Sequence, residues 1–421
     1  MKALWTSTMS FPRTVRLLMA NQFAINLAFY MLMPYLAAHL AGELGLAAWA
    51  VGLVLGVRNF SQQGMFLIGG TIADRFGYKT PIMAGCLLRT AGFALLGAVD
   101  SLPVLVLASA ATGFAGALFN PAVRAYLAAE SGGRRVEAFA TFNVYYQAGM
   151  LAGPLVGLAL LAADFRLVCL AAAGIFAVLT VLQSRWLPAR PAAGDGGGGR
   201  ETRVLTQWRT VVANRPFLLF SWAMIGSYVL TFQVYLALPL AAGDAFGRAG
   251  TQATTLLFVL SAAVAVAGQL RLTGWAKARW NGQDALVRGL GVMGVAFLPL
   301  ALVAAGGALS PAVALSALAA AVIALAVGGA IVYPFEMDTV TSLSGNRLVA
   351  THYGLYNTVS GLGITLGNLA TGALWDYAQR HQALWLVWTA LALTGGACAA
   401  AVHLLARTGR LTPPGLHTAT A

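Results

Sequence analysis

Long apolar runs separated by short polar turns set the pattern of this chain. Twelve runs are long enough to cross roughly 30 Å of hydrocarbon as helices rising 1.5 Å per residue. In the first half they cover residues 15–38, 51–69, 81–99, 102–118, 139–161 and 167–186. In the second half they cover 217–240, 255–275, 285–306, 312–332, 353–375 and 384–405. The fourth and tenth run on towards Pro121 and Pro334. Trp49, Trp186, Trp275, Trp280, Trp375 and Trp385 fall near predicted ends, where an interfacial aromatic belt belongs. One polar stretch is long: 187–213, with Pro188, Pro191 and a glycine-rich run at 194–199, reads as a flexible cytoplasmic linker. The pattern predicts an all-α integral membrane protein of twelve transmembrane helices in two pseudo-symmetric six-helix bundles, 1–186 and 214–410, with a cytoplasmic tail at 411–421. An internal repeat supports the division. Asn120-Pro121 pairs with Tyr333-Pro334, Asn143 with Asn357, Gly149 with Gly363, and Gly153 with Gly367. Arg89 in LLRTAGF likewise recurs as Arg288 in LVRGLGV.

Composition agrees with the pattern. Of 421 residues, 59% are hydrophobic and only 9% charged, and mean hydropathy is +0.76. Soluble domains carry about 25% charged residues, so lipid must cover this surface in place of water. Cys86, Cys169 and Cys398 lie inside apolar runs and read as buried thiols. The N-terminal segment is too polar for a signal peptide. The net charge of +13 invites a nucleic-acid reading, but the positions of the charges oppose it. Of 26 Lys and Arg residues, 21 lie on one face, three (Arg166, Arg248, Arg380) on the other, and Arg58 and Arg89 inside spans. That bias places both termini in the cytoplasm and makes the charge an orientation signal; no nucleic-acid partner is expected. His39, His352, His381 and His403 are scattered and no nucleotide-binding loop is present, so no enzyme activity, metal or cofactor is expected.

Candidate chemistry begins at the turn after the second span, GTIADRFGYKT. Gly70 allows close backbone approach, and Gly77 can take the positive φ that a short turn needs. Asp74 can accept from the free N–H groups of a neighbouring helix N-terminus. Arg75 and Lys79 supply positive charge, and Glu130 at the end of the fourth span stands as their possible partner in the same latch. His352, at the start of the eleventh span, reads as a solvated interfacial histidine. In the fifth span, GMLAGPLVG puts Gly149, Gly153 and Gly157 on one helix face, with Pro154 removing a backbone donor.

The turn resembles the loop signature of the major facilitator superfamily, G-x-x-x-D-R-x-G-R-K. Gly70, Asp74, Arg75, Gly77 and Lys79 match, and Tyr78 departs. The fifth-span motif resembles g-x-x-x-G-P-x-x-G-G of the superfamily's twelve-span drug:proton antiporters, with Leu158 in place of the last Gly; it also fits a plain packing face. LGVRNFSQQG (55–64) and DFRLVC (164–169) are similar to bacterial multidrug-resistance exporters. The resemblance implies an inner-membrane transporter, a monomer, exporting amphipathic small molecules in exchange for protons. One departure counts against simple transfer: Ser109 stands where many such antiporters carry a fourth-span arginine.

Two acids and two arginines then carry most of the remaining signal. Glu336 and Asp338 follow Pro334 and either bind protons reversibly or form a gate pair with Arg124. Arg58, midway along the second span, either meets an anionic substrate group or is held by amides such as Asn26, Asn59 and Gln62. The first alternative describes a dedicated organic-anion carrier. Arg89 and Arg288, as a repeated pair, read as structural. Further polar and aromatic residues belong to a central cavity: Tyr30, Asn143, Tyr146, Gln147, Gln233, Tyr353 and Asn357.

Overall fold

The computed structural model describes residues 2–189, 204–306 and 310–411, and among them every regular element is helical. The glycine-rich run at 194–199 and the tail beyond 411 lie outside the described residues. Ten helical segments are long and apolar enough to cross a membrane. The two remaining expected spans fail for different reasons. The second is two helices, Ala48–Gln63 and Phe66–Phe76, broken at Gly64-Met65. The Gln63 carbonyl next to the break accepts from the Thr358 hydroxyl at 3.3 Å. The eleventh, Val349–Arg380, has 32 residues and is long enough, but its amides and hydroxyls dilute its apolar character.

The chain forms two compact units: Met1–Asn214 with Val340–Thr358, and Arg215–Thr339 with Val359–Ala421. The turn between the tenth and eleventh spans therefore packs with the first unit, although it lies in the second half of the sequence. Within the first unit, Arg13–Gly42 lies along Arg135–Leu161, and Lys79–Ala98 packs on both Leu102–Glu130 and Phe165–Trp186. Small residues set these distances. A Cβ at Gly153 would stand 2.7 Å from that of Tyr30, and one at Gly149 2.9 Å from that of Asn26. The Tyr35 hydroxyl donates to the Pro154 carbonyl at 2.7 Å across the same contact. The second unit repeats the device, with Gly363 and Gly367 seated against the side chains of Ile225 and Val229.

Other elements depart from the apolar pattern. The seventh span is Arg215–Ala223, Ile225–Phe232, a 3-10 turn Gln233–Tyr235, and Ala237–Phe246. Leu236 leaves the helical region (φ −127°, ψ −77°), three residues before Pro239, whose ring would clash with the Tyr235 carbonyl in a continuous helix. Two short helices were not visible as apolar runs. Lys2–Met9 docks through Ser7 to Thr141 (3.0 Å) and Thr8 to Tyr145 (3.1 Å). Val204–Ala213 occupies the end of the expected linker, burying Gln207 and Val211.

Candidate functional site

The Asp74 turn is built as a helix cap. Gly77 takes φ 79° and ψ 163°, a region that is essentially reserved for glycine, and this ends Phe66–Phe76. Gly70 lies so close to the Ala350 carbonyl and Thr351 that any side chain there would collide with them. One helical turn later, Asp74 faces the first turn of Val349–Arg380. Its Oδ1 accepts from the Ala350 amide at 3.1 Å, and its Oδ2 accepts from the Thr351 amide and hydroxyl, each at 2.6 Å. The carboxylate thus fills the positive end of that helix. Burial outweighs these donors and pushes the Asp74 carboxyl up to about 6.

Neighbouring contacts in the first unit converge on the same turn. Trp208 Nε1 donates to the Thr71 hydroxyl at 2.8 Å. Asn214 donates to the Leu343 carbonyl at 2.9 Å and lies 3.3 Å from the His352 ring. His352, expected in solvent, is 3% exposed, and burial pushes its imidazole down to about 4. Its Nδ1 lies 2.8 Å from the Leu348 carbonyl, so the histidine belongs to the packing of the turn. Lys79, a possible partner of Glu130, donates instead to the Ser184 carbonyl at 2.8 Å; the exposed C-terminal carbonyls of Phe165–Trp186 lie within its reach. Arg75 sits in the last turn of Phe66–Phe76 and Glu130 ends Leu102–Glu130.

The expected cavity residues divide into groups. Tyr30 and Tyr146 meet hydroxyl to hydroxyl at 3.3 Å, and the Gln147 carbonyl oxygen is buried without a partner. Asn26 donates to the Gln22 carbonyl of its own helix at 2.7 Å, so it does not hold Arg58. Arg58 donates to Asn59 at 2.5 Å and to Gln62 at 3.5 Å, and its guanidinium lies 5.1 Å from the Phe29 ring centre. A second group lies near Val349–Arg380. Arg124 donates to Asn357 at 2.6 Å, and Tyr353, fully buried, bonds the Thr341 hydroxyl at 2.8 Å. Asn143 is buried in the first unit. Gln233 belongs to the second unit, where its amide reaches the Val229 carbonyl (2.9 Å) and Asn368 (3.4 Å). Glu336, 3% exposed, and Asp338, half-buried, also belong to the second unit.

Sequence reasoning passed over two contributors. Thr351 supplies two of the three bonds to Asp74, and Trp208 braces the helix that carries it. Arg89 is 3% exposed, with Phe119, Phe29 and Phe176 ring centres 4.8, 4.9 and 5.3 Å away, whereas its repeat partner Arg288 lies exposed over Trp280 at 4.8 Å. The repeat in sequence is not a repeat in environment. The usable signal was that Arg58 and Arg89 are the two basic residues placed inside spans.

Comparisons with known proteins agree with the helical architecture. Residues 18–368 match the family model described as Major Facilitator Superfamily. An uncharacterized MFS-type transporter of Mycobacterium tuberculosis is 56% identical over 385 residues, 91% of each chain. Multidrug resistance protein MdtH is 30% identical in Sodalis glossinidius and 29% in Salmonella arizonae, over 90% of both chains in each case. Among solved structures, the crystal structure of the human organic anion transporter MFSD10 (TETRAN) aligns with a TM-score of 0.68 at 15% identity, covering 92% of this chain and 99% of that one. At that identity it bears on the fold alone.

Proposed function

Because this chain belongs to the major facilitator superfamily, we propose that it exports amphipathic small molecules across the bacterial inner membrane by alternating access, in exchange for protons. As a member of that family it is a multi-pass membrane transporter and not an enzyme. The observation that carries the exporter reading is the fifth-span face. Gly149, Gly153 and Gly157 seat Arg135–Leu161 directly on Arg13–Gly42, beside the Tyr30–Tyr146 contact, in a chain whose relatives include MdtH multidrug resistance proteins. Asp74, with Gly70, Arg75, Gly77, Lys79 and Glu130, forms the latch. The halves 1–186 and 214–410 rock about a cavity, with both termini cytoplasmic and the protein acting as a monomer. Glu336 or Asp338 carries the proton, or gates with Arg124.

A pH jump across reconstituted vesicles tests this. A dye that accumulates against its gradient only while the pH difference persists supports antiport. Dye movement indifferent to the pH difference overturns the coupling. A second reading, a dedicated organic-anion carrier, rests on Arg58, a basic group within a span that makes no ion pair among the described residues.

A further inference from the structure

Arg58 and Arg89 share one aromatic ring. Their guanidinium carbons lie 5.1 and 4.9 Å from the centre of Phe29, so the two charges stand within about 10 Å of each other. Gln62 lies between them. It accepts from Arg58, and a Cβ built on Gly116 would lie 3.1 Å from the Gln62 amide carbon and 3.0 Å from an Arg89 terminal nitrogen. Gly116, lacking a side chain, thus lets an amide and a guanidinium pack closely into one tight corner. Among the described residues neither arginine forms an ion pair, and Nε of each is buried without a partner. Arg89 packs against three rings among the described residues and interacts with the Cys86 thiol one turn back on its own helix. The described acids of the first unit, Glu43, Asp74, Asp100, Glu130, Glu137 and Asp164, all sit at or near helix ends.

Two cations this close repel each other, and in hydrocarbon each also carries a large desolvation cost. Aromatic faces offset part of that cost, as they do for Arg89, but they supply no hydrogen-bond acceptors. The chemical complement of two such guanidinium groups is an oxyanion. Guanidinium is suited to a carboxylate or sulfonate because its planar fork matches two oxygens. Phe29 and Tyr30 then present an apolar and a phenolic surface next to the charged corner.

Resting on the transporter reading above, we infer that Arg58, Arg89 and Gln62 form a recognition site for the single carboxylate or sulfonate of an amphipathic cargo. Arg58, half-buried beside exposed Asn59, makes the direct contact. Arg89, held by its three rings, is a positioning residue that keeps the corner positive. The expected mid-span position of Arg58 favours the cargo over a lipid headgroup as the source of the anion. The cargo is therefore selected by charge as well as by apolar bulk.

Binding of two probes with the same fluorophore and opposite charge tests the inference: dansylglycine, an anion, and dansylcadaverine, a cation. The full-length protein is held in phosphatidylcholine nanodiscs and titrated by energy transfer from its tryptophans. The wild type is expected to bind dansylglycine at least tenfold more tightly. Arg58→Gln removes about tenfold of that affinity, the scale of one charge-assisted hydrogen bond, and leaves dansylcadaverine unchanged. Arg58→Lys recovers part of the loss, and Arg89→Gln weakens the anion several-fold. Equal affinity for the two probes in the wild type overturns the site. So does an Arg58→Gln protein of unchanged thermal midpoint that still prefers the anion; this variant decides the matter even if Arg89→Gln does not fold. Proton-driven dye movement with no anion preference would leave the antiporter reading standing and remove this one. Anion preference without proton coupling would do the reverse.

Discussion

At the residue scale, Asp74 and His352 occupy one turn and respond to acid in opposite senses. The Asp74 carboxyl sits at about 6, above its ordinary 3.8, so the folded protein holds that proton more tightly than the unfolded chain does. Its contribution to stability is complete below about 3.8 and disappears as pH rises through about 6, a span worth about 3 kcal/mol. His352 runs the other way. Its imidazole falls from 6.5 to about 4, so the stability it contributes is present above 6.5 and is lost as pH falls through about 4. Acidifying from pH 7 to pH 5 therefore adds an Asp74 term and removes a His352 term. The thermal midpoint of the purified protein is expected to drop further on acidification in Asp74→Asn than in the wild type, and less in His352→Gln. The opposite ordering would mean that the two groups are not buried as described. Asp74→Asn also removes the full negative charge from the N-terminus of Val349–Arg380, and transport at neutral pH is expected to fall about ten- to hundredfold, the loss of roughly 1.5–3 kcal/mol of charge-assisted bonding. Thr351→Ala, which leaves both backbone amides in place, is expected to have a smaller effect on the same assay.

At the scale of helices, the contact between Arg13–Gly42 and Arg135–Leu161 depends on the absence of side chains. Gly153→Leu has no room beside Tyr30 and is expected to lower stability by about 1–3 kcal/mol, read as a fall in thermal midpoint. Leu155→Ala, two residues away and 67% exposed, is the matched control and is expected to change little. This contact was legible because small residues at a spacing of four mark one helix face. The long helices were legible for a similar reason, since a bilayer accepts only runs of sufficient length and apolarity. The breaks were not. Gly64-Met65 interrupts a run whose hydropathy is continuous, and the donor that meets the Gln63 carbonyl beside the break is the Thr358 hydroxyl, far along the chain. Val204–Ala213 escaped notice because a ten-residue helix gives too short a window, and its buried residues, Gln207 and Val211, are set by tertiary packing beside the Trp208–Thr71 contact. The role of Asp74 was readable as an N-terminal cap, but the helix it caps was not, because local sequence does not encode which distant backbone amides are free.

For the whole molecule, the proposed antiport requires a proton carrier, and no described acid lies deep in a span of the first half. Glu336 and Asp338 are the candidates, and their environments separate them. Glu336 is 3% exposed, whereas Asp338 is half-buried. A carboxyl shielded from water changes its proton affinity when its surroundings change, which is the property a coupling group needs; a wetter one changes less. Glu336→Gln is accordingly expected to abolish accumulation driven by an imposed pH difference in vesicles while sparing downhill movement of the same dye, and Asp338→Asn to retain most of the driven accumulation. Arg124→Ala distinguishes the proton carrier from a gate. A gate pair loses its closing interaction when either partner is removed, so both variants would leak dye in the absence of a gradient. A proton carrier requires no such partner, so Glu336→Gln alone would uncouple the protein, and Arg124→Ala would still respond to the pH difference.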